Sequence, residues 1–212
     1  MGAQRLKVRE GNKVQATGGS VTYDETEIAK LVERADAGDF GAFGELYSVY
    51  LERIYRYVFY QVKDKMTAED LTEDIFLKAW KAIKSYKGKG RSFSAWLYRI
   101  AHNHVIDYYR TRRQDATLEK QILVDTSNPE QEAEDKLMRQ ELIELISCLP
   151  SQQRQVIILK FIEGLDNSEI AQIMRKRQGA IRVLQMRALS ALRRRLSNEV
   201  DKHQPWLCFS RG

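Results

Sequence analysis

A strongly basic segment near the C-terminal end carries the clearest chemical signal in the chain. Eight basic side chains and no acidic ones lie between positions 175 and 195: Arg175, Lys176, Arg177, Arg182, Arg187, Arg193, Arg194 and Arg195. Arginine can hydrogen-bond guanine edges or phosphates, and apolar side chains can contact thymine methyl groups. A helical pair with an ordinary solvated face usually intersperses acids among its basic residues, so this segment favours contact with DNA.

The elements that would hold these side chains follow a helix-turn-helix pattern. A capping box at Asp166-Asn-Ser-Glu169 begins a short helix, and a second helix begins near Gln178. The inward positions of the pair are apolar or small: Ile170, Ala171, Met174, Ile181, Leu184, Ala188 and Leu192. Close crossing at the two alanines would push the second helix out into a major groove. Its outward face then presents four side chains to base edges: Arg182, Val183, Met186 and Arg187.

A predicted helix in the first half of the chain, with the loop before it, mixes aromatic and basic side chains. They are Tyr86, Phe93, Trp96, Tyr98, Tyr108 and Tyr109 with Lys87, Lys89, Arg91, Arg99, Arg110, Arg112 and Arg113. Binders of single-stranded nucleic acid need flat rings to stack unpaired bases and cations to follow the backbone. Phe93 and Tyr108 lie on the apolar stripe and are expected in the core. Trp96, Tyr98 and Arg99 lie partly off that stripe, and Asn103 has an amide able to read a base edge.

An acidic segment covers positions 66–80, where four acids stand against one lysine. The acids are Glu69, Asp70, Glu73 and Asp74. No histidine or further acid converges on them as a catalytic site would require, so the cluster is interpreted as an exposed face for a basic protein surface. His102 and His104 point to different faces of a helix, and Cys148 and Cys208 lack partners at metal spacing. We therefore expect no metal site, no cofactor and no enzymatic activity.

Helical periodicity dominates the segments around these motifs. Apolar side chains recur at three- and four-residue steps over positions 40–58, after a break at Gly38 and an acidic N-cap at Asp39. Another helix is predicted to begin at a capping box, Thr67-Ala-Glu-Asp70, and a later helix to end at Gly164, which suits a left-handed helix stop. No segment shows sustained alternation of apolar and polar residues, so an all-α fold without a sheet is expected.

Periodicity fails around Asn128-Pro129, which predicts a flexible linker between two small helical domains. The predicted divisions are a disordered N-terminal tail, a first domain, the linker, a second domain and a C-terminal tail: 1–22, 23–113, 114–134, 135–198 and 199–212.

The net charge of +6 and the pI of about 9.2 suit a polyanionic partner. No apolar run approaches the ~18–20 residues that cross a bilayer, and the N-terminus has no signal-peptide core. A cytoplasmic chain without membrane insertion is expected.

Four motifs, taken in order, resemble the bacterial sigma factors of the extracytoplasmic-function (ECF) type, in the sigma-70 superfamily. AGDFGAFGELY (37–47) resembles the start of sigma region 2, and AEDLTEDIFLKAW (68–80) resembles its RNA polymerase-binding helix. FSAWLYRIAHN (93–103) resembles the promoter-melting and −10 recognition helix. LPSQQRQV (149–156), followed by the helix-turn-helix, resembles sigma region 4. The likeness covers residues 24–196.

The resemblance implies a factor that binds core RNA polymerase, recognises the −35 and −10 promoter elements, melts promoter DNA and directs transcription initiation. By position, docking on the clamp helices of the largest subunit would fall to Asp70, Glu73, Asp74 and Phe76. Contacts to −10 DNA, duplex and single-stranded, would fall to Tyr86, Lys87, Trp96, Arg99, Asn103, Arg110, Arg112 and Arg113. The −35 element would be read by Gln178, Arg182, Val183, Met186 and Arg187. The polymerase flap and an anti-sigma factor are further implied partners, and the free chain is expected to be a monomer.

The chain departs from the family pattern at three positions. Glu73 stands where glutamine is usual, Arg175 where glycine is common in the turn, and Arg177 where a good N-cap residue is expected. Two other classes of function stay open. A helix-turn-helix repressor or activator with a ligand-sensing or dimerising N-terminal domain would bind two-fold symmetric duplex DNA without polymerase. A helical hydrolase or nuclease would depend on the acidic cluster and a divalent metal.

Overall fold

The computed structural model describes residues 14–15, 22–86, 92–115 and 132–203, and nearly all of them are helical. Four helices form a first bundle: α1 (Glu25–Asp36), α2 (Phe40–Val62), α3 (Lys65–Ala82) and α4 (Phe93–Asp115). Four more form a second bundle: α5 (Glu132–Ser147), α6 (Ser151–Ile157), α7 (Asn167–Met174) and α8 (Gln178–His203). The predicted all-α class with two small helical domains is confirmed. Most of the predicted linker and of both predicted tails lies outside the described residues.

A short feature that the sequence pattern did not predict precedes α1. Val14–Gln15 (β1) and Thr22–Tyr23 (β2) pair as antiparallel strands, with Val14 opposite Tyr23 and Gln15 opposite Thr22. A two-residue pair of this kind is too small to be stable alone. The hydroxyl of Tyr23 also donates to the carboxylate of Glu45 in α2 at 3.3 Å, which ties the pair to the first bundle.

Capping side chains determine where the helices of the first bundle begin. As predicted, Gly38 breaks the chain with a φ of 99°, and Asp39 caps α2 by accepting the Ala42 N–H at 3.1 Å. The predicted start of α3 at Thr67 is wrong, because α3 begins at Lys65 with Asp64 as its N-cap. The Asp64 carboxylate accepts the Thr67 N–H at 2.8 Å. An ionised carboxylate is a stronger acceptor than a hydroxyl, so the aspartate takes the capping position.

The core of the first bundle is built from the apolar stripes of α2, α3 and α4, with α1 covering one side. α1 is an addition to the predicted helices. It begins at a capping box in which Asp24 accepts the Glu27 N–H and the Glu27 carboxylate accepts the Asp24 N–H, each at 2.8 Å. Its buried residues are Ile28, Leu31, Val32 and Ala35. α1 contacts both α2 and α4.

The second bundle contains the predicted helix-turn-helix. Residues Ile158–Ile162 extend α6 in π-helical geometry, and Gly164, with a φ of 73°, stops the helix as predicted. The predicted capping box of Asp166 and Glu169 begins α7. Arg175 ends α7 in a left-handed conformation, and α8 begins at Gln178. The inward side chains of the pair are buried as predicted at Ile170, Ala171, Met174, Ile181 and Ala188, while Leu184 and Leu192 are half-buried.

The two bundles pack directly against each other. α4 lies along α7, and α2 contacts both α5 and the π-helical segment that follows α6. The core residues of the two bundles form one continuous buried cluster. Among the described helices, none is both long enough and apolar enough to cross a bilayer.

Candidate nucleic-acid interface

The outward face of α8 carries the predicted base-reading side chains. All five are exposed to solvent: Gln178, Arg182, Val183, Met186 and Arg187. Met186 is 62% exposed and Val183 is 42% exposed, although both are apolar. The opposite side of the helix holds the fully buried Ile181 and Ala188, so its orientation is fixed by packing. Arg182, Met186 and Arg193 line a shallow groove on this face. Two cations around an exposed apolar strip suit base edges flanked by phosphates.

The turn before α8 sets the angle at which that helix leaves the bundle. Arg175 has a φ of 53° and a ψ of 45°, the left-handed conformation that glycine adopts most readily. The N–H of Lys176 then donates to the Ala171 carbonyl at 2.9 Å, which satisfies a carbonyl of the last turn of α7. The turn geometry is therefore that of a helix stop, with an arginine in the left-handed position.

The N-terminal part of α4 carries a cluster of three aromatic rings. Tyr86 lies 5.8 Å from Phe93 and 5.3 Å from Trp96, and Phe93 lies 5.3 Å from Trp96, measured between ring centroids. Phe93 is buried, as expected, and packs on Tyr50 of α2. Tyr86 and Trp96 are half-buried, so each ring is packed in the cluster and still partly accessible to solvent. Rings held this way are prepared for stacking against a base.

The polar positions predicted beside this cluster differ in their accessibility. Asn103 is exposed and Arg99 is half-buried. Arg110 is exposed and forms an ion pair with Asp107 at 3.1 Å. Arg112 donates to the Tyr108 hydroxyl at 2.5 Å and lies over its ring. Lys87 and the side chain of Arg113 lie outside the described residues.

The expectation that Tyr98 lies partly off the apolar stripe of α4 is wrong. It is fully buried, and its hydroxyl donates to Oε2 of Glu163 in the second bundle at 2.6 Å. The side chain of Glu163 is also 0% exposed and accepts from Arg56 of α2 at 3.0 and 3.1 Å. Sequence reasoning missed this cluster. One signal was present, because an acid at a helix C-terminus is disfavoured by the helix dipole unless a cation compensates it.

The acidic face of α3 is exposed at the three predicted carboxylates, Asp70, Glu73 and Asp74. The expectation that no histidine meets this cluster is wrong, because Asp74 lies 3.3 Å from Nε2 of His104 in α4. Nζ of Lys78 lies 2.5 Å from Nδ1 of the same ring. Burial and the neighbouring Lys78 lower the pKa of His104, while Asp74 acts in the opposite direction. At neutral pH the imidazole is therefore uncharged, and the face keeps its negative charge.

Phe76, predicted with these acids as a docking residue, requires a correction. It is 5% exposed and packs edge-on against Tyr47 of α2, with ring centroids 4.7 Å apart. It lies four positions after the buried Thr72 and three before the buried Ala79, so it belongs to the inward face of α3. Its ring packs between α3 and α2 and so contributes to the core. Met66 and Leu77 are exposed apolar side chains on the same helix, and Phe40, also exposed, contacts Trp80 of α3.

The fold and these surfaces define a two-domain helical transcription factor with a helix-turn-helix and an exposed acidic face. The chain belongs to the ECF sigma factors of the sigma-70 family. Residues 46–114 match the family described as Sigma-70 region 2, and residues 139–192 match Sigma-70, region 4. The family that the sequence motifs resemble is thereby confirmed, and the protein is a sigma factor that acts in transcription initiation.

Curated relatives and solved structures agree with this assignment. The chain is 38% identical over 180 residues to the ECF RNA polymerase sigma factor BldN of Streptomyces coelicolor, covering 83% of this chain and 68% of that protein. It is 30% identical over 184 residues to SigW of Bacillus subtilis, covering 81% of this chain and 98% of SigW. The fold is similar to that of CnrH, solved in complex with the cytosolic domain of CnrY. That match has a TM-score of 0.64 and 24% identity, and it covers 80% of this chain and 96% of CnrH.

Proposed function

We propose that this sigma factor reads the −35 promoter element with the outward face of α8. The observation that carries the proposal is the composition of that face, where exposed Arg182 and Arg187 flank exposed Val183 and Met186. Arginine discriminates guanine through paired hydrogen bonds, and an apolar side chain recognises the thymine methyl group. The buried opposite side of α8 fixes its orientation, as a recognition helix requires.

The −10 element is captured and melted by α4 and the aromatic cluster of Tyr86, Phe93 and Trp96. Half-exposed rings can stack on unpaired bases, at ~1–3 kcal/mol per base. The exposed amide of Asn103 can hydrogen-bond a base edge, and the cations follow the phosphates. The basic set on this helix is Lys87, Arg99, Arg110, Arg112 and Arg113, of which Lys87 and the side chain of Arg113 lie outside the described residues.

Docking on core RNA polymerase falls to the acidic face of α3. Asp70, Glu73 and Asp74 are exposed on one helix and carry a single sign of charge, which suits a basic surface such as the clamp helices of the largest subunit. Residues 23–113 then form region 2, residues 135–198 form region 4, and residues 114–134 connect them. The factor acts in the cytoplasm, where the polymerase is, and supplies binding energy rather than catalysis. An anti-sigma factor is its proposed regulator.

Run-off transcription tests this function. Purified cognate core polymerase, with and without the factor, is supplied with a pool of genomic promoter fragments. Discrete starts that depend on the factor are expected, and their alignment yields both promoter elements. No initiation, with active core and no inhibitor present, would contradict the proposal. A two-fold symmetric footprint without polymerase would instead identify a helix-turn-helix repressor or activator.

A matched pair of variants tests the α8 face in the same assay. Arg182→Ala removes an exposed arginine from the proposed reading face. As the control, Arg34→Ala removes an exposed arginine from α1. Arg34 pairs with Asp39 at 2.7 Å and is far in sequence from every proposed DNA contact. Loss of starts with the first variant and their retention with the second are expected. Equal activity of the two variants would show that α8 does not read the promoter through this residue.

A further inference from the structure

A buried carboxylate joins the two bundles. Glu163 lies at the end of the π-helical segment of the second bundle, and its side chain is 0% exposed. Among the described residues, every side chain that binds it comes from the first bundle. Arg56 donates to both carboxylate oxygens at 3.0 and 3.1 Å, and Tyr98 donates at 2.6 Å. Arg53 lies 3.7 Å from the carboxylate and donates to the Glu163 backbone carbonyl at 3.0 Å.

Further polar contacts cross the same seam on either side of Glu163. Ser92, just before α4, donates to Oε1 of Glu169 in α7 at 2.8 Å. Arg154 of α6 donates to the Gln61 carbonyl at the end of α2, at 3.4 Å. These polar and charged contacts accompany the buried apolar cluster that joins the bundles, and interfaces between domains of one chain are commonly more polar than permanent ones.

The energetics of the Glu163 cluster favour a contact that is strong when closed and reversible. A carboxylate buried without partners is very costly, so in this position Glu163 depends on Arg53, Arg56 and Tyr98 being in place. When the bundles separate, all four groups return to water, and hydration replaces the lost hydrogen bonds. The cluster therefore specifies one closed arrangement without making it permanent.

In the closed arrangement, α4 and α8 lie too close together to contact both promoter elements. α4 contacts α7, and α7 contacts α8. Because packed helices lie ~8–10 Å apart, the two proposed DNA-reading helices, α4 and α8, are separated by roughly 20 Å. Promoter elements centred about 25 base pairs apart are separated by ~80 Å at ~3.4 Å per base pair. One closed molecule therefore cannot contact both elements, and the bundles must separate before a promoter is bound.

We infer that Glu163 is an interdomain latch that holds the factor in a closed form unable to bind both promoter elements. Docking on core polymerase separates the bundles and releases the latch. The latch rests on the proposed roles of α4 and α8. Its consequence is that DNA affinity of the free factor is reduced by the small fraction of open molecules.

Small-angle X-ray scattering of the full chain tests the latch without reference to function. Glu163→Gln removes the charge, and the double variant Arg53→Ala with Arg56→Ala removes the partners. Both are expected to increase the radius of gyration, while Arg34→Ala, which removes an exposed ion pair within the first bundle, is not. Circular dichroism checks that helix content is retained. An unchanged radius of gyration in both latch variants would overturn the inference.

Promoter binding without polymerase supplies the second readout. The latch variants are expected to bind a fragment carrying both elements about 10-fold more tightly or better than the unaltered chain, because a charged hydrogen-bond network no longer opposes opening. Their run-off transcription with core polymerase is retained. Variants that expand without gaining DNA affinity, while the unaltered factor initiates normally, would show that closure does not limit promoter binding.

A reversible cross-link tests whether holding the two bundles together prevents transcription. Ser92→Cys and Glu169→Cys are combined in a chain whose Cys148 and Cys208 are serine, and a short cleavable bismaleimide joins the new thiols across the seam. The cross-linked factor is expected to lose run-off transcription and to recover it on cleavage, while the same chain capped with a monofunctional maleimide stays active. Full activity of the cross-linked form would overturn the latch and leave the proposed function intact.

Discussion

Tyr98 in α4 and Glu163 in the second bundle share a 2.6 Å hydrogen bond although 65 positions separate them in the chain, and both side chains are fully buried. Burial and the adjacent carboxylate raise the pKa of Tyr98 well above its usual value, so the phenol keeps its proton and donates at physiological pH. A second buried tyrosine, Tyr57 of α2, lies with its ring centroid 5.6 Å from that of Tyr98. Its hydroxyl finds no hydrogen-bond partner among the described residues.

The two tyrosines provide a matched pair of substitutions. Tyr98→Phe removes a donor from a buried carboxylate and is expected to lower the free energy of unfolding by ~1–3 kcal/mol. Tyr57→Phe removes a buried hydroxyl without a partner and is expected to be neutral or slightly stabilising. Urea unfolding of the full chain, followed by circular dichroism, measures both. Equal destabilisation by the two changes would contradict the assignment of the Tyr98 bond.

His102 should make stability depend on pH. Burial first, and then the charges of Arg175 and Lys176, lower its pKa from 6.5 to about 4. The folded ring stays neutral over this range while the unfolded ring takes up a proton, so the free energy of unfolding decreases as pH falls from 6.5 towards 4. At 1.36 kcal/mol per pKa unit the full effect is about 3 kcal/mol.

Urea unfolding at pH 7 and pH 5 measures the His102 effect. The variant His102→Gln should show a smaller loss of stability between these two values than the unaltered chain. His104→Gln serves as a comparison, because His104 is only half-buried and Asp74 partly offsets the lowering of its pKa. A pH dependence unchanged by His102→Gln would show that other groups cause it.

Local physical signals predicted much of the fold and of the α8 face. Asp39, Gly164 and the Asp166 capping box act through contacts within a few residues, so sequence alone identified them. Helical periodicity predicted that Ile181 is buried and Met186 is exposed, because the two sides of α8 differ clearly in composition.

The features that the sequence did not predict depend on competition between neighbouring residues or on contacts between residues far apart in the chain. Asp64 and Thr67 both cap helices well, and only their relative acceptor strength decided between them. Phe76 was carried over with its acidic neighbours, although it lies four positions after the buried Thr72, on the inward face of α3. Periodicity cannot specify which bundle meets α4, so the bond between Tyr98 and Glu163 could not be derived from spacing.

Phe76 and Asp70 should separate structural from docking roles on α3. Phe76→Ala is expected to destabilise the fold by roughly 3–5 kcal/mol, because it empties a buried aromatic site. Asp70→Lys reverses an exposed charge, so its effect on stability should be within about 0.5 kcal/mol, while core polymerase binding weakens. Urea unfolding and a pull-down with core polymerase measure the two effects. Leu77→Ala, at a 51% exposed position, controls for loss of an aliphatic side chain on the same helix.

Arg182 and Arg193 should differ in what they contribute to DNA binding, although both line the groove on α8. Arg182→Ala is expected to reduce discrimination between the −35 sequence and a mutated one roughly 10-fold or more. Arg193→Ala should weaken binding equally for both sequences and reduce the salt slope by about 1, as expected for a phosphate contact. Holoenzyme binding to paired promoter fragments over a range of salt concentrations distinguishes them. Loss of discrimination from Arg193→Ala would reverse the two roles.

Arg175 offers a gain of stability from a single substitution. Its left-handed φ of 53° brings Cβ close to the backbone, at a cost of roughly 1–2 kcal/mol for a residue other than glycine. Arg175→Gly relieves this strain but adds freedom to the unfolded chain, so a net gain of about 0.5–1 kcal/mol is expected.

Arg175→Ala provides the control, because it removes the same charge but keeps Cβ. Both variants remove a cation near His102 and should raise the pKa of that ring, which NMR titration of the imidazole measures. Only the glycine variant should gain stability in urea unfolding at pH 7, where His102 is neutral. An equal gain from alanine would assign the effect to charge repulsion in the basic segment rather than to the backbone conformation of the turn.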